Sequence, residues 1–323
     1  MKQGHMEFEI SQKLELHYFF TDNSHSMDAT VRNECEKELL ALFRECSIIL
    51  GVDFKIESEA FCEGGLKEIW KFLGSTQVAT ALVILTIILS RYPPSDSAKE
   101  IAEQQLLELQ IEEAKLNIKK IRFQLKDLEK ESPDTTEKIE EIAKAVAKSA
   151  KVIVRRSNFY EKIIKYDKVK SLSYTQLNIQ NEAIAEEHRV QRNNFHRFII
   201  HSRALKPEIS DDAEIEIIAP VLREGNYKWK GVYNDEPISF SMTDSRFRYQ
   251  VLSKEISFQN GANILCVLET HRKLDEVGNI VITGYSVSTV IRKYDEKQVI
   301  ETLQGKEYKQ TKKFRDSQRD LFS

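Results

Sequence analysis

Four groups able to ligate metal or move protons, Asp22, His25, Asp28 and Glu34, crowd one short stretch where a strand gives way to a helix. Carboxylates and an imidazole at such a junction can hold a divalent metal or relay protons. The same stretch also meets a plainer need, because Asp22, Ser24 and Ser26 can cap a helix and acids sit well near its positive end. His188, His196 and His201 are spaced eight and five apart, which gives no shared metal face on a helix. The four cysteines, Cys35, Cys46, Cys62 and Cys266, lack ligand spacing and read as plain buried thiols of a reducing compartment. The sequence has no glycine-rich phosphate loop, no GxSxG elbow and no HExxH helix. No catalytic residue, metal or cofactor is assigned, and a non-enzymatic protein is expected.

Charge is more informative counted locally than overall. The whole chain of 323 residues carries 48 Lys+Arg against 51 Asp+Glu, a net charge of −3, which excludes a protein that coats polyanions wholesale. Residues 1–71 hold eight basic and fourteen acidic residues, a balance of −6, whereas residues 144–170 hold nine and two, a balance of +7. Read as one helix, the basic segment puts Lys144, Lys148, Lys151 and Arg155 on one stripe, with Arg156 beside it, opposite Ile139, Val146 and Ile153. The stripe reads in three ways: a solvated helix face, a patch for phosphates of nucleic acid or anionic lipid, or a dock for the chain's own acidic N-terminal part. For the second, Phe159 and Tyr160 are the stacking candidates. Further on, Trp229, Asp244 and Phe247 mark the C-terminal half. Aromatics within strands belong to a core, Asp244 suits a turn, and a binding surface follows only if the rings are exposed.

The tail carries a short motif. Gln318-Arg319-Asp320-Leu321-Phe322 resembles the clamp-binding peptide of bacterial replication and repair proteins, Gln-Leu-(Ser/Asp)-Leu-Phe, and departs from it at Arg319. The resemblance implies a protein partner at the C-terminal tail, engaged through Gln318, Asp320, Leu321 and Phe322.

The elements that must position these residues read as an α+β multidomain chain. An N-terminal β-α-β unit (1–71) has strands at 8–20 and 52–61 around a helix at 27–50 that stops at Gly51. An apolar helix (72–92, overlapping a helix predicted from Leu66 to Arg91) and an antiparallel helical hairpin (97–170) follow. The hairpin's first arm, Ala98 to Glu131, repeats apolar residues in heptads from Leu107 to Leu128, and its second runs from Thr135 through Ile153. A connecting strand and helix (171–210) place a helix over Ala183 to Leu205. A small β-barrel (211–297) is expected from short strands at 213–219, 227–233, 236–242, 246–253, 262–270 and 278–292, separated by turn signals. A polar tail (298–323) ends the chain, without fixed structure from 306 onward.

Two segments decide function at this level. Phe72 to Ser90 is uncharged, and its strongly apolar part, Val78 to Leu89, either enters a bilayer or fills a core. The heptads either close an intramolecular hairpin or drive self-association. The N-terminus lacks the charged-apolar-small order of a secretory signal. The expectation is a non-enzymatic, membrane-associated or oligomeric sensor or effector of bacterial type, whose apolar helix anchors or acts while the barrel takes a ligand or partner. It would lie in the cytoplasm, or at the inner membrane facing it. This layout resembles membrane effectors of bacterial antiphage systems. The alternative is a soluble nucleic-acid-associated accessory protein using helix 144–170, the barrel and the clamp-like tail.

Overall fold

The computed structural model describes residues 10–22, 24–59, 66–91, 135–296 and 298–320. The chain divides into two compact units, one holding residues up to 203 together with 274–279, the other 204–273 and the residues from 280 onward. The mixed α+β class is what the chain forms: helices with two sheets, one of them a closed barrel.

In unit 1 the strands are β1 (Ile10–Phe20), β2 (Phe54–Glu59), β3 (Leu66–Gly74), β4 (Val169–Leu177) and β5 (His188–Gln191). Its helices are α1 (Ala29–Leu50), α2 (Gln77–Ser90), α3 (Thr135–Ala147) and α4 (Ala150–Ile164). The strands pair antiparallel in the order β2-β3-β1-β4-β5. With β1 and β3 between β2 and β4, this is a split β-α-β, ferredoxin-like sheet extended at one edge by β5. Period-two alternation sends Leu14, Leu16, Tyr18 and Phe20 of β1 into the core and leaves Lys13, Glu15, His17 and Phe19 on the other face. Asp28 starts α1 by accepting from the backbone N–H groups of Thr30 (2.8 Å) and Val31 (3.1 Å). Gly51, in the left-handed region at φ 68°, ends it.

Three expectations change in unit 1. The helix predicted from Leu66 to Arg91 is β3 followed by α2. Trp70 and Phe72 reach the core with a period of two, and β3 is paired on both sides, so sheet pairing prevails over helical pattern. Gly74 ends the strand where the backbone closes on Asp53, whose carbonyl would lie 2.7 Å from an added Cβ. The apolar segment itself forms α2, fourteen residues long and about 21 Å at 1.5 Å per residue. Val78, Ala81, Leu82, Ile84, Leu85, Ile88 and Leu89 are all buried in the core of this unit. Among the described residues no helix is long and apolar enough to cross a membrane.

The helix predicted over Ala183 to Leu205 is instead β5 and a 3₁₀ helix at Arg192–Phe198. Val190 pairs with Leu172, and Phe195 and Phe198 turn into the core. The second hairpin arm is two helices, α3 on α2 and α4 on α1, broken at Lys148 and Ser149. The heptad arm at 98–131 lies outside the described residues.

Unit 2 contains β6 (Ala204–Ala219), β7 (Trp229–Tyr233), β8 (Glu236–Met242), α5 (Ser245–Leu252), β9 (Asn263–Leu274), β10 (Ile280–Tyr294), β11 (Val299–Glu301) and α6 (Leu303–Asp320). The order β10-β8-β7-β6-β9 is closed by pairing of β9 with β10, giving a five-stranded barrel, and β11 pairs with the end of β10 at Arg292, Lys293 and Tyr294. β8 and β10 run parallel, and the other pairings with a defined register are antiparallel. Ile215, Phe240, Ile264, Cys266, Leu268 and Val287 fill the interior with Trp229 and Phe247. Two expectations change here. Residues 246–253 form a helix rather than a strand, because Asp244 caps them by accepting from Phe247 N–H at 2.9 Å. The polar segment after 306 is helical through Asp320. Its first turn is seated on β10: Thr302 Oγ1 donates to the Val290 carbonyl, and a Cβ at Gly305 would clash with the Ile291 carbonyl.

Asp244 ties this unit together, since its second oxygen accepts from Val290 N–H (2.8 Å) and Gln304 Nε2 (3.1 Å). Asp244→Ala strands buried donors on α5, β10 and α6 at roughly 1–3 kcal/mol each. The expected loss is on the order of 3 kcal/mol, with Asp244→Asn losing less. Urea titration of Trp229 fluorescence in a Trp70→Phe background measures both.

A second prediction concerns pH. Glu68 of β3 is buried, bonds Arg32 Nε at 2.7 Å, and its other oxygen has no partner among the described residues. Burial, opposed by Arg32, pushes its carboxyl up to about 7 from 4.5. The folded state therefore holds this proton more tightly than the unfolded chain, so stability falls as pH rises from 4.5 through 7. Glu68→Gln removes that slope. Trp70 fluorescence should show the variant gaining on wild type by roughly 3 kcal/mol between pH 4 and 8.

Candidate functional site

The acidic α1 and basic α4 lie antiparallel, and their charges meet in order. Glu34 pairs with Lys162 (3.2 Å), Glu38 with Arg155 (3.0 Å) and Glu45 with Lys151 (3.7 Å). Of the three readings of the basic stripe, docking on the chain's own acidic helix is the one that Lys151 and Arg155 make. Two features dismantle the stripe as one polyanion surface. The chain breaks between α3 and α4, so Lys144, exposed on α3, and Lys148, in the turn, do not share a helix with Lys151 and Arg155. Arg156, Phe159 and Tyr160 are fully buried, which removes them as phosphate-binding and stacking candidates.

Arg156 points into the core, where Nη1 donates to the carbonyls of Ile88 (2.7 Å) and Arg91 (3.3 Å) at the end of α2. Burial lowers its guanidinium to about 10, still cationic at neutral pH. Tyr160 Oη donates to the Leu89 carbonyl at 2.6 Å, its ring stacks on Phe198 at 4.3 Å, and burial raises its hydroxyl above the usual range.

Beside the ion-pair row, α1 and α4 leave a cleft of about 700 Å³. That volume lies within the range of small-molecule sites. Its floor is a polar network. Glu38 Oε2 accepts from Arg155 Nη1 and from Asn158 Nδ2 (3.3 Å); Asn158 Nδ2 also donates to the Glu276 carbonyl (3.0 Å), and its Oδ1 accepts from Arg203 Nη2 (2.7 Å). Arg155 Nε is buried and has no partner among the described residues. Lys37, Lys162 and Lys165 line the walls. The described lining holds no serine, cysteine or histidine, so it offers charge and hydrogen bonds rather than a nucleophile with its base.

The remaining candidates are dispersed. Asp28 is the cap of α1, Asp22 accepts from Ser24 N–H and pairs with Lys168 (3.2 Å), and Glu34 faces Lys162. Among the described residues no group of three His, Cys, Asp or Glu can hold a metal ion. Trp229, Asp244 and Phe247 are buried in the barrel core, with Trp229 edge-on to Phe258 at 5.4 Å, so they offer no ligand surface. Gln318 and Asp320 fall at the end of α6, and Leu321 and Phe322 lie outside the described residues. Cys35, Cys46 and Cys266 are buried free thiols, and burial raises all three.

Sequence reasoning missed Glu38, Asn158, Arg203, Lys37 and Glu276. One signal was available: acids on α1 and bases on α4 spaced to match in reverse order, with Asn158 among apolar neighbours. No protein-family model matches the chain, and no curated protein is similar to it.

Glu38 and Arg155 form a largely desolvated pair, so losing one partner should cost more than losing both. Arg155→Met is expected to lower stability by about 3 kcal/mol, and adding Glu38→Gln should recover part of that. A double-mutant cycle by urea denaturation reads the coupling.

Proposed function

We propose that this chain is a binding protein of the sensor type, and that the α1–α4 cleft of unit 1 takes a small ligand bearing a phosphate or carboxylate. The carrying observation is the floor formed by Glu38, Arg155, Asn158 and Arg203, whose side chains are held by one another before any ligand arrives. Such preorganisation lowers the entropic cost of binding. The anionic ligand class follows from what the network leaves over. The lining holds five basic and four acidic side chains: Glu34 and Glu38 are matched by Lys162 and Arg155, Glu161 by Lys165 at 2.8 Å, and Glu276 stands against the two remaining cations, which leaves a surplus of one positive charge. Those cations are Lys37, which has no ion-pair partner among the described residues, and Arg203, which bonds the neutral amide of Asn158 and acts on Glu161 only through space. A bound anion would sit between these two cations and the buried Nε of Arg155.

The reading keeps the non-enzymatic sensor class and moves its ligand from the barrel, whose interior is filled by side chains, to unit 1. It assigns no role to a bilayer, since α2 is a core helix. The clamp-like tail and self-association through helices take no part in it.

Thermal melting of the full chain with inorganic phosphate, a nucleoside triphosphate and a dicarboxylate supplies the test, because a ligand that binds only the folded state raises the midpoint. At least one probe should raise it at millimolar concentration, and Lys37→Gln with Arg203→Gln should weaken that ligand ten-fold or more. No shift with any probe, or a shift unchanged in the double variant, overturns the reading.

A further inference from the structure

The face of the unit 1 sheet opposite its helices carries a second feature, independent of the cleft. His17 and Phe19, on the central strand β1, have ring centroids 3.9 Å apart and tilted by 32°. The guanidinium of Arg189, on the edge strand β5, lies 3.7 Å from the centre of the Phe19 ring. Pairing of His17 with Ser173, and of Ser173 with Arg189, sets the three side chains on one face. Below them the β4 row is small and flat, with Ser171, Ser173 and Thr175 buried. Imidazole and guanidinium thus each lie within stacking distance of the Phe19 ring, and Arg189 is exposed where His17 and Phe19 are half-buried.

Charge on this face is nearly self-cancelling, with a small cationic remainder. Lys13 holds Glu59 (2.8 Å), Lys67 holds Glu15 (3.1 Å) and Lys71 approaches Glu57 (3.9 Å), which matches every acid that β1, β2 and β3 turn outward. Lys55 and Arg189 are left over, and Glu187 also acts on His17. The pull on phosphate is therefore modest. Binding here must come from adding another flat ring to the stack.

We infer that this face binds single-stranded nucleic acid, one base stacking on the exposed guanidinium of Arg189 beside Phe19 and His17. Bases of single strands stack readily on aromatic rings and guanidinium planes, and open antiparallel sheets present such side chains well. Lys55 supplies a phosphate contact across the sheet. Because few phosphates are met, the affinity falls only shallowly with salt, with a slope near one or two on a log–log plot.

Fluorescence anisotropy of a labelled oligothymidylate with the full chain tests this, alongside a strand of the same length lacking bases. Binding to the thymidylate and not to the abasic strand is expected. Arg189→Ala should weaken it at least ten-fold, and Arg189→Lys, which keeps charge but loses the plane, should weaken it as much. Arg189 is exposed, so neither variant threatens the fold, and unchanged melting confirms that. The Lys37→Gln, Arg203→Gln cleft variant should bind the oligonucleotide like wild type, which separates this face from the proposed small-ligand site. Absence of binding at low salt, equal binding of the abasic strand, or wild-type affinity in Arg189→Lys would overturn the inference.

Discussion

Unit 1 depends on how the end of α2 is satisfied. This helix is buried almost throughout, so its last carbonyls cannot turn to water and need donors from within the protein. Arg156 and Tyr160 supply them, bonding Ile88, Leu89 and Arg91. A guanidinium at this end also faces the negative pole of the helix, the favourable sign for a cation in a poorly solvated site. Burial disfavours its charge, and two of its nitrogens lack partners among the described residues, so the capping bonds offset a substantial desolvation cost.

That cap fixes the rotation of α4. With Arg156 and Tyr160 turned toward α2, Arg155 and Lys162 come round to α1, and the ion-pair row along Glu34, Glu38 and Glu45 follows. The outer pairs are solvated and contribute little to stability. Glu38, Arg155 and Asn158 are the exception, being mostly withdrawn from water, and they become the floor of the cleft. A basic helix that looked like a surface for polyanions is an internal partner because the protein needed a cap and an acidic neighbour at the same place. Arg192 repeats the device at the end of α4, donating to the carbonyls of Ile164, Tyr166 and Val169.

In unit 2 a carboxylate does comparable work. Asp244 accepts from groups on α5, β10 and α6, so one buried side chain sets both helices against the strand that closes the barrel. Thr302 and Gly305 let α6 begin in direct contact with β10, the first because its hydroxyl bonds both neighbours, the second because no side chain intervenes.

Short-range pattern determined much of this chain. Alternation on β1, the helical stripe and glycine stop of α1, and the strand–turn texture after residue 213 are local signals, and they led to the mixed class and the barrel. The apolar content of Val78 to Leu89 was equally plain, but composition is the same for a core and for a bilayer. Only the sheet and helices packed around α2 decide between them. Tertiary pairing likewise decided β3 and β5, whose residues suit helix locally but complete a sheet. Capping by Asp244 decided α5. The candidate cleft was the least legible part, since Glu38, Asn158 and Arg203 are far apart in sequence and ordinary one by one. Their meaning arises when the cap on α2 turns α4 so that a buried acid, a buried amide and two guanidinium groups must satisfy one another, a condition that depends on distances no local pattern encodes.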